Sequence, residues 1–307
     1  MATRFYTHPV CITHEPGPHH PESPDRLRSV ISALSDPAFE ALERKEAPET
    51  TVDTIALVHD GNFVERILKS VPESGYAQLD PDTILSPGSG EATLRAVGGI
   101  CQAVGDVVNG EADNAFCAMR PPGHHAESSR AMGFCVFNSV AIAARYAQKQ
   151  FGIDKVAVID FDVHHGNGTQ HMFENDASLF YGSSHQFPAY PGTGAASETG
   201  VGNIANVPLS PGSGSDLFRA AYTDVIFPEL RAFNPDLLLI SAGFDAHIQD
   251  PLCQLNVTTD DFAWISDELM DIADECCDGR LVSTLEGGYD LEALAESAAV
   301  HVQALMG

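Results

Sequence analysis

The sequence predicts one α/β domain built on a mainly parallel sheet, and three observations predict it. Short apolar runs recur at Ala115–Met119, Val156–Ile159, Leu237–Ile240 and Leu281–Leu285, the length of buried strands rather than helices. Amphipathic stretches of helical period separate them. No linker, internal repeat or compositional break divides the 307 residues, so the domain is expected to cover 1–307.

From the N-terminus, Arg4–Thr7 is expected as an opening strand, followed by a Pro/His/Glu-rich loop over His8–Glu22. Ser23 and Pro24 have the chemistry of an N-cap and first helical position, which starts a helix through Leu34. A second helix is expected over about Asn62–Ser70. The turn formers of LDPDTILSPGSG predict a loop, after which Ser89 would cap a long helix, Gly90–Val108, that Gly110 stops. After the strand Ala115–Met119 comes a helix over Asn138–Gln150, closed by Gly152. Ser178–Tyr181 is expected as a strand ending in SSHQ, followed by a long loop from Phe187 to Gly214, a length usually kept for function. Asp216–Phe233 reads as a helix interrupted or ended near Pro228. In Thr259–Cys277, Phe262, Ile265, Leu269, Ile272 and Cys276 fall at gaps of three and four, so one face packs on the sheet. The final helix repeats that spacing with Leu291, Leu294, Ala298, Val302 and Leu305.

A formal charge of −27, from 16 basic and 43 acidic residues, argues against nucleic acid as a partner and suits cationic small molecules or lysine-bearing peptides. The seven cysteines include no C-x-x-C pair, so neither a disulfide framework nor a thiolate metal site is written here, and a reducing cytoplasm is the expected setting. The N-terminus lacks a signal-like apolar stretch, and no segment is long and apolar enough for a membrane span.

The chemistry collects where strands end. RPPGHHA, DFDVHHGNG, SAGFDAH and EGGYD each follow an apolar run, and in an open parallel sheet the carboxyl ends of the strands line the ligand crevice. An Asp-x-His after a strand is by itself a common solvated turn. Four polar, Gly-rich loops at four strand ends are harder to dismiss. Together they offer Asp162, His164 and Asp245 as metal ligands, His124 and His125 as paired imidazoles, and Tyr289 on a Gly287-Gly288 turn. Two carboxylates and one imidazole with an open position suit a catalytic Zn²⁺, one per chain. The histidines would serve as general base and acid once Asp160 and Asn167 fix their second nitrogens, and Tyr289 would donate to a developing oxyanion.

These residues resemble those of the zinc-dependent histone deacetylase family, in the form of class II and its bacterial relatives. The motifs that carry the resemblance are HPESPDRL (His20–Leu27), RPPGHHA (Arg120–Ala126), GFCVFNSVAIAA (Gly133–Ala144), IDFDVHHGNGTQ (Ile159–Gln170), GTG (Gly192–Gly194), SAGFDAH (Ser241–His247) and LEGGYDL (Leu285–Leu291). The resemblance implies the arginase/deacetylase fold: three layers, about eight strands, helices on both faces. It puts zinc on Asp162, His164 and Asp245, the catalytic histidines at His124 and His125, and the transition-state tyrosine at Tyr289. An acyl-lysine tunnel would be walled by Gly133, Phe134, Tyr190, Leu252 and Gly288, with Tyr190 where the family usually has Phe. Potassium would bind an inner site of Asp160, Asp162, His164, Ser183 and Ser184, and an outer site of carbonyls near Phe173, Asp176 and Leu179. Arg26 would lie on the route by which acetate leaves.

The expected substrate is an acyl-lysine peptide or protein. The alternative is a cationic acetylated small amine, a polyamine; polyamine-selective relatives place Glu seven residues after the last zinc ligand, and Leu252 stands there. A two-manganese arginase-like site would want further Asp residues where Gly166 and His247 stand, and a non-catalytic acyl-lysine reader would have lost a ligand, a histidine or Tyr289. Homo-oligomerisation is left open.

Overall fold

The apolar runs become the four central strands of a parallel sheet. In the computed structural model, which describes residues 2–307, ten strands form: β1 (Thr3–Thr7), β2 (Glu43–Glu46), β3 (Ala77–Asp80), β4 (Thr83–Leu85), β5 (Asn114–Cys117), β6 (Val156–Asp160), β7 (Leu179–Gln186), β8 (Ile204–Leu209), β9 (Leu237–Ala242) and β10 (Leu281–Leu285). Eight of them make one sheet in the order β2-β1-β5-β10-β9-β6-β7-β8, parallel at every pairing. Strands β5, β6, β9 and β10 are buried at every residue, as strands covered on both faces must be. Helices Pro24–Ala33, Thr259–Cys277 and Leu291–Met306 pack together on one side, and Ser89–Val108 with Ser139–Phe151 on the other. Among the described residues no helix is long and apolar enough to cross a membrane, and all seven cysteines are free.

Several expectations need correction. The LDPDTILSPGSG segment is not a plain loop: β3 and β4 pair as an antiparallel hairpin within it. The long loop after Phe187 contains β8, an edge strand, where Pro208 is tolerated because no further strand needs its missing N–H. Pairing with β8 carries β7 on through Ser183–Gln186, so the two serines sit in the strand and not after it. The other edge, β2, is ERKE and exposed throughout; it carries no apolar alternation, and its charges suit an edge that must not pair with another chain. Ser89 is the first residue of its helix and Gly88 the N-cap; the Ser89 hydroxyl accepts from Ser86 N at 2.7 Å, and a side chain at 88 would collide with Thr13. Helix Ser215–Phe233 is not ended by Pro228; a π-helical turn at Tyr222–Ile226 precedes it and accommodates the ring and the lost i→i−4 bond.

His301, in the last helix, is fully buried against the rings of Phe116, Phe161 and Phe244. Its nitrogens meet Ser266 Oγ at 2.7 Å and Ser283 Oγ at 2.8 Å. Ser266 gives its own proton to Phe262 O, so it accepts from His301 Nδ1, and Ser283 donates to Nε2. The imidazole is thereby satisfied in its neutral form, and burial pushes its pKa down to about 3.

Candidate active site

The four adjacent central strands β5, β10, β9 and β6 deliver their C-terminal loops to one crevice. Asp160 is the last residue of β6 and pairs in register with Ser241 of β9, so Asp162 and His164 after one strand face Asp245 after the other. Ligand atoms of Asp162, His164 and Asp245 all lie within 4.8 Å of one another. His164 Nδ1 is 3.2 Å from Asp162 Oδ1 and 3.0 Å from Asp245 Oδ2. Backbone donors fix the carboxylates: Val163 N–H to Asp245 Oδ1, His164 N–H to Asp162 Oδ1 and Gly287 N–H to Asp162 Oδ2, all within 2.9 Å. A Cβ at Gly287 would come within 2.5 Å of both carboxylates, which is why the turn after β10 has no side chain there.

The electrostatics of the cluster ask for a cation. Burial alone would raise Asp162, yet the imidazoles of His124 and His164 hold it well below the usual carboxylate range. Asp245 is pushed up to about 7, by burial first and by the charge of Asp162 second. Two buried carboxylates this close are both comfortable as anions only with positive charge between them. Two oxygens and one imidazole nitrogen are a donor set that fits a zinc-type ion.

The two histidines of the β5 loop are fixed from behind. His124 Nδ1 lies 2.9 Å from Asp160 Oδ2, which also accepts from the Tyr181 hydroxyl at 3.0 Å. His125 Nδ1 lies 2.8 Å from Asn167 Oδ1, and the Asn167 amide nitrogen donates to Glu127 Oε1 at 2.8 Å and to His125 O at 3.3 Å. Both rings therefore carry the proton on Nδ1 and turn Nε2 toward the cluster; His124 Nε2 is 3.9 Å from Asp162 Oδ2. Their pKa values part company. Burial lowers both, but Asp160 and Asp162 outweigh it at His124 and raise it to about 10, whereas burial and the neighbouring charges of His124 and His164 hold His125 well below the imidazole range. The surroundings thus favour the charged form of His124 and the neutral form of His125.

Above the cluster, a cavity of about 260 Å³ is lined by Asp82, His125, Gly133, Phe134, His164, Tyr190, Leu252 and Tyr289. Phe134 meets Tyr289 edge to face at 5.8 Å between ring centroids, and Tyr190 meets His125 in the same way at 5.1 Å. Gly133 and Phe134 both have positive φ, 58° and 67°. The β3–β4 hairpin holds both residues, with Asp82 Oδ1 accepting from Gly133 N and Thr83 Oγ1 from Phe134 N, each at 3.1 Å, and so secures the left-handed backbone of Phe134. A side chain at 133 would strike the His125 ring.

Comparison with known proteins agrees. The histone deacetylase domain model matches residues 20–305. The chain belongs to the histone deacetylase family. It is 37% identical to a probable deacetylase of Archaeoglobus fulgidus, over 95% of this chain and 82% of that one, and 35% identical to the histone deacetylase-like amidohydrolase of Pseudomonas aeruginosa, over 94% and 81%. Histone deacetylase 14, chloroplastic, of Arabidopsis thaliana is 39% identical, over 94% of this chain and 73% of the relative. The crystal structure of the HDA15 HD domain superposes with a TM-score of 0.94 at 36% identity, covering 99% of this chain and 88% of that one. The chain is accordingly a deacetylase, a hydrolase of amide bonds.

In this deacetylase Arg26 lies fully buried beneath the turn that carries Tyr289. It donates to Gly288 O and Glu286 O, both at 2.5 Å, and to Glu22 Oε1 at 3.0 Å, while its guanidinium sits 4.8 Å from the centre of the Tyr289 ring. Leu252 stands at the mouth of the cavity, 38% exposed. Ser183 Oγ pairs with His185 Nδ1 at 2.9 Å and Ser184 Oγ with the Tyr222 hydroxyl at 2.8 Å; Asp160 Oδ1 accepts from Asp162 N. The carbonyls of Phe173, Asp176 and Leu179 converge on the side-chain amide of Asn203.

Sequence reasoning passes over five residues that build this site. Asp82 sits in a stretch whose composition reads as a loop, and Tyr181 in one that reads as plain strand. Glu22 lies within the HPESPDRL motif without an assigned role; its buried carboxylate accepts from both Arg26 and Arg120. Glu286 accepts from Gly123 N, His124 N and Ser241 Oγ, tying the histidine loop to β9 and β10. Glu127, next to the histidine motif, orients Asn167. An acidic residue within or beside a catalytic motif is the available signal for the three glutamates.

Proposed function

We propose that this deacetylase is a class II-like, zinc-dependent enzyme that removes acetyl or other acyl groups from the side-chain amine of acyl-lysine in peptides or proteins. The observation that carries the reading is the aromatic-walled cavity whose lining includes His125 and, from the Asp162–His164–Asp245 cluster, His164. A linear amide on a flexible aliphatic stem fits between Phe134 and Tyr190, and Gly133 lets the stem pass close to the backbone.

Zinc held by Asp162, His164 and Asp245 would polarise the acyl carbonyl and acidify a water. The side chains do the rest. His125, neutral and with its Nε2 lone pair free, takes the proton of the attacking water. His124, charged, delivers a proton to the amine as the C–N bond breaks. Tyr289, whose hydroxyl is kept protonated chiefly by burial, donates to the oxygen that gains negative charge. Arg26 holds the Tyr289 turn and borders the acetate exit. Potassium at the inner set of Asp160, Asp162, His164, Ser183 and Ser184 would offset the buried carboxylates. Seven free cysteines suit a reducing setting such as the cytoplasm.

A polyamine substrate is the second reading, favoured by the charge of −27 and by Asp82 at the rim, which would face a distant ammonium as readily as a peptide N–H. A side-by-side assay of acetyl-lysine peptides, longer acyl-lysines and monoacetylated diamines, before and after metal removal, separates the two. Acyl-lysine turnover that exceeds diamine turnover and disappears on chelation is expected; the reverse preference would hand the site to polyamines.

A further inference from the structure

The three carbonyls that the family resemblance offers to an outer monovalent cation all point at one atom of the chain itself. Asn203 Nδ2 lies 2.8 Å from Phe173 O, 3.0 Å from Asp176 O and 2.6 Å from Leu179 O. Its other end fixes which way the amide faces, because Asn203 Oδ1 accepts the N–H of Val201 at 3.1 Å. Turning the amide over would set an oxygen against three carbonyls and an NH₂ against a backbone donor. The residue is only 3% exposed, and its own carbonyl is engaged by Tyr181 N at 3.1 Å, so backbone and side chain are both clamped.

The carboxylate beside the cradle is spoken for as well. Asp176 Oδ2 accepts from Arg145 at 2.7 Å, and Oδ1 from Ser178 N and Oγ at 2.9 and 2.7 Å. A cation entering here would meet carbonyls already bonded to N–H hydrogens and a carboxylate already neutralised by a guanidinium. The residues present do not fit a bound ion.

We infer that Asn203 takes the place of the outer monovalent cation: its amide supplies the positive end that three converging carbonyls require, and the deacetylase binds no ion there. The consequence reaches the catalytic pair through one helix. Asn167–Phe173 begins at the residue that orients His125 and ends at a carbonyl held by Asn203. A covalently attached donor has no dissociation constant, so this end of the helix stays pinned whatever the salt.

Anomalous scattering from crystals soaked in thallium(I), a heavy monovalent stand-in for potassium, tests the assignment. The wild-type chain is expected to show no thallium among the carbonyls of 173, 176 and 179, and the Asn203→Ala chain a peak there under the same soak, with a melting temperature that potassium raises over choline by roughly 2–4 °C more than in wild type. Should Asn203→Ala fail to fold, Asn203→Asp keeps the shape while opposing an oxygen to the carbonyls, and a thallium peak is expected in its place. A peak in the wild-type cradle with the Asn203 side chain swung out overturns the inference. So does the absence of a peak in wild type and variant alike, because the carbonyls would then reject ions for a reason other than Asn203.

Discussion

Asn167 Oδ1 accepts the Nδ1 proton of His125 at 2.8 Å, and this bond decides which nitrogen of the ring faces the substrate. An amide can present either end to a histidine. Glu127, accepting from Asn167 Nδ2, is what stops this one from turning. Glu127→Ala is expected to lower kcat about tenfold with little change in KM, the scale of one hydrogen bond to a charged group. Glu127→Gln, which still offers an amide oxygen, restores most of it. Equal kcat in all three chains would remove Glu127 from the catalytic arrangement.

Tyr289 lines the cavity together with Phe134 and His164. Tyr289→Phe keeps the ring against Phe134 and over Arg26 while deleting the donor, so kcat should fall by about two to three orders of magnitude with KM nearly constant. Steady-state kinetics on an acetyl-lysine peptide decide it; full activity in the variant contradicts the role.

His301 makes stability depend on pH away from the catalytic centre. Its folded pKa of about 3 lies below the ordinary 6.5, so the unfolded chain takes up the proton first. Its contribution is complete above pH 6.5 and is lost as pH falls through the window down to about 3. Urea unfolding at about pH 6.5 and about pH 5 should show wild type losing on the order of 1 kcal/mol more per pH unit than His301→Asn, which cannot titrate. Parallel pH dependence in the two proteins would show that His301 does not stay neutral when folded.

Leu252 at the cavity mouth is where a carboxylate would reach a distant ammonium. Leu252→Glu should shift the ratio of kcat/KM for a monoacetylated diamine over an acetyl-lysine peptide upward by on the order of tenfold to a hundredfold. An unchanged ratio places selectivity elsewhere on the rim.

The fold and the grouping of Asp162, His164 and Asp245 are legible in the sequence for the same reason. Buried parallel strands are apolar at nearly every position, so Val156–Asp160 and Leu237–Ala242 stand out, and the loops at their carboxyl ends lie in the crevice by topology. Edge and surface strands leave no such trace: β2 is all charge, and β8 carries a proline inside a Gly/Pro/Ser stretch. The second layer of the site was hidden because its meaning lies in distant contacts. Nothing local to Asn203 reveals that it meets carbonyls 24 to 30 residues upstream. Nor does Asp82 announce that it holds Gly133 across 51 residues.

The proposed chemistry requires one divalent ion at Asp162, His164 and Asp245, whose ligand atoms lie within 4.8 Å of one another. Elemental analysis of the purified chain, paired with turnover of an acetyl-lysine peptide, tests it most directly. About one equivalent of zinc per wild-type chain is expected, with loss of metal and turnover together in Asp245→Ala, and the same joint loss on chelation, reversed by zinc. Metal-free wild-type protein that deacetylates at the full rate would contradict it.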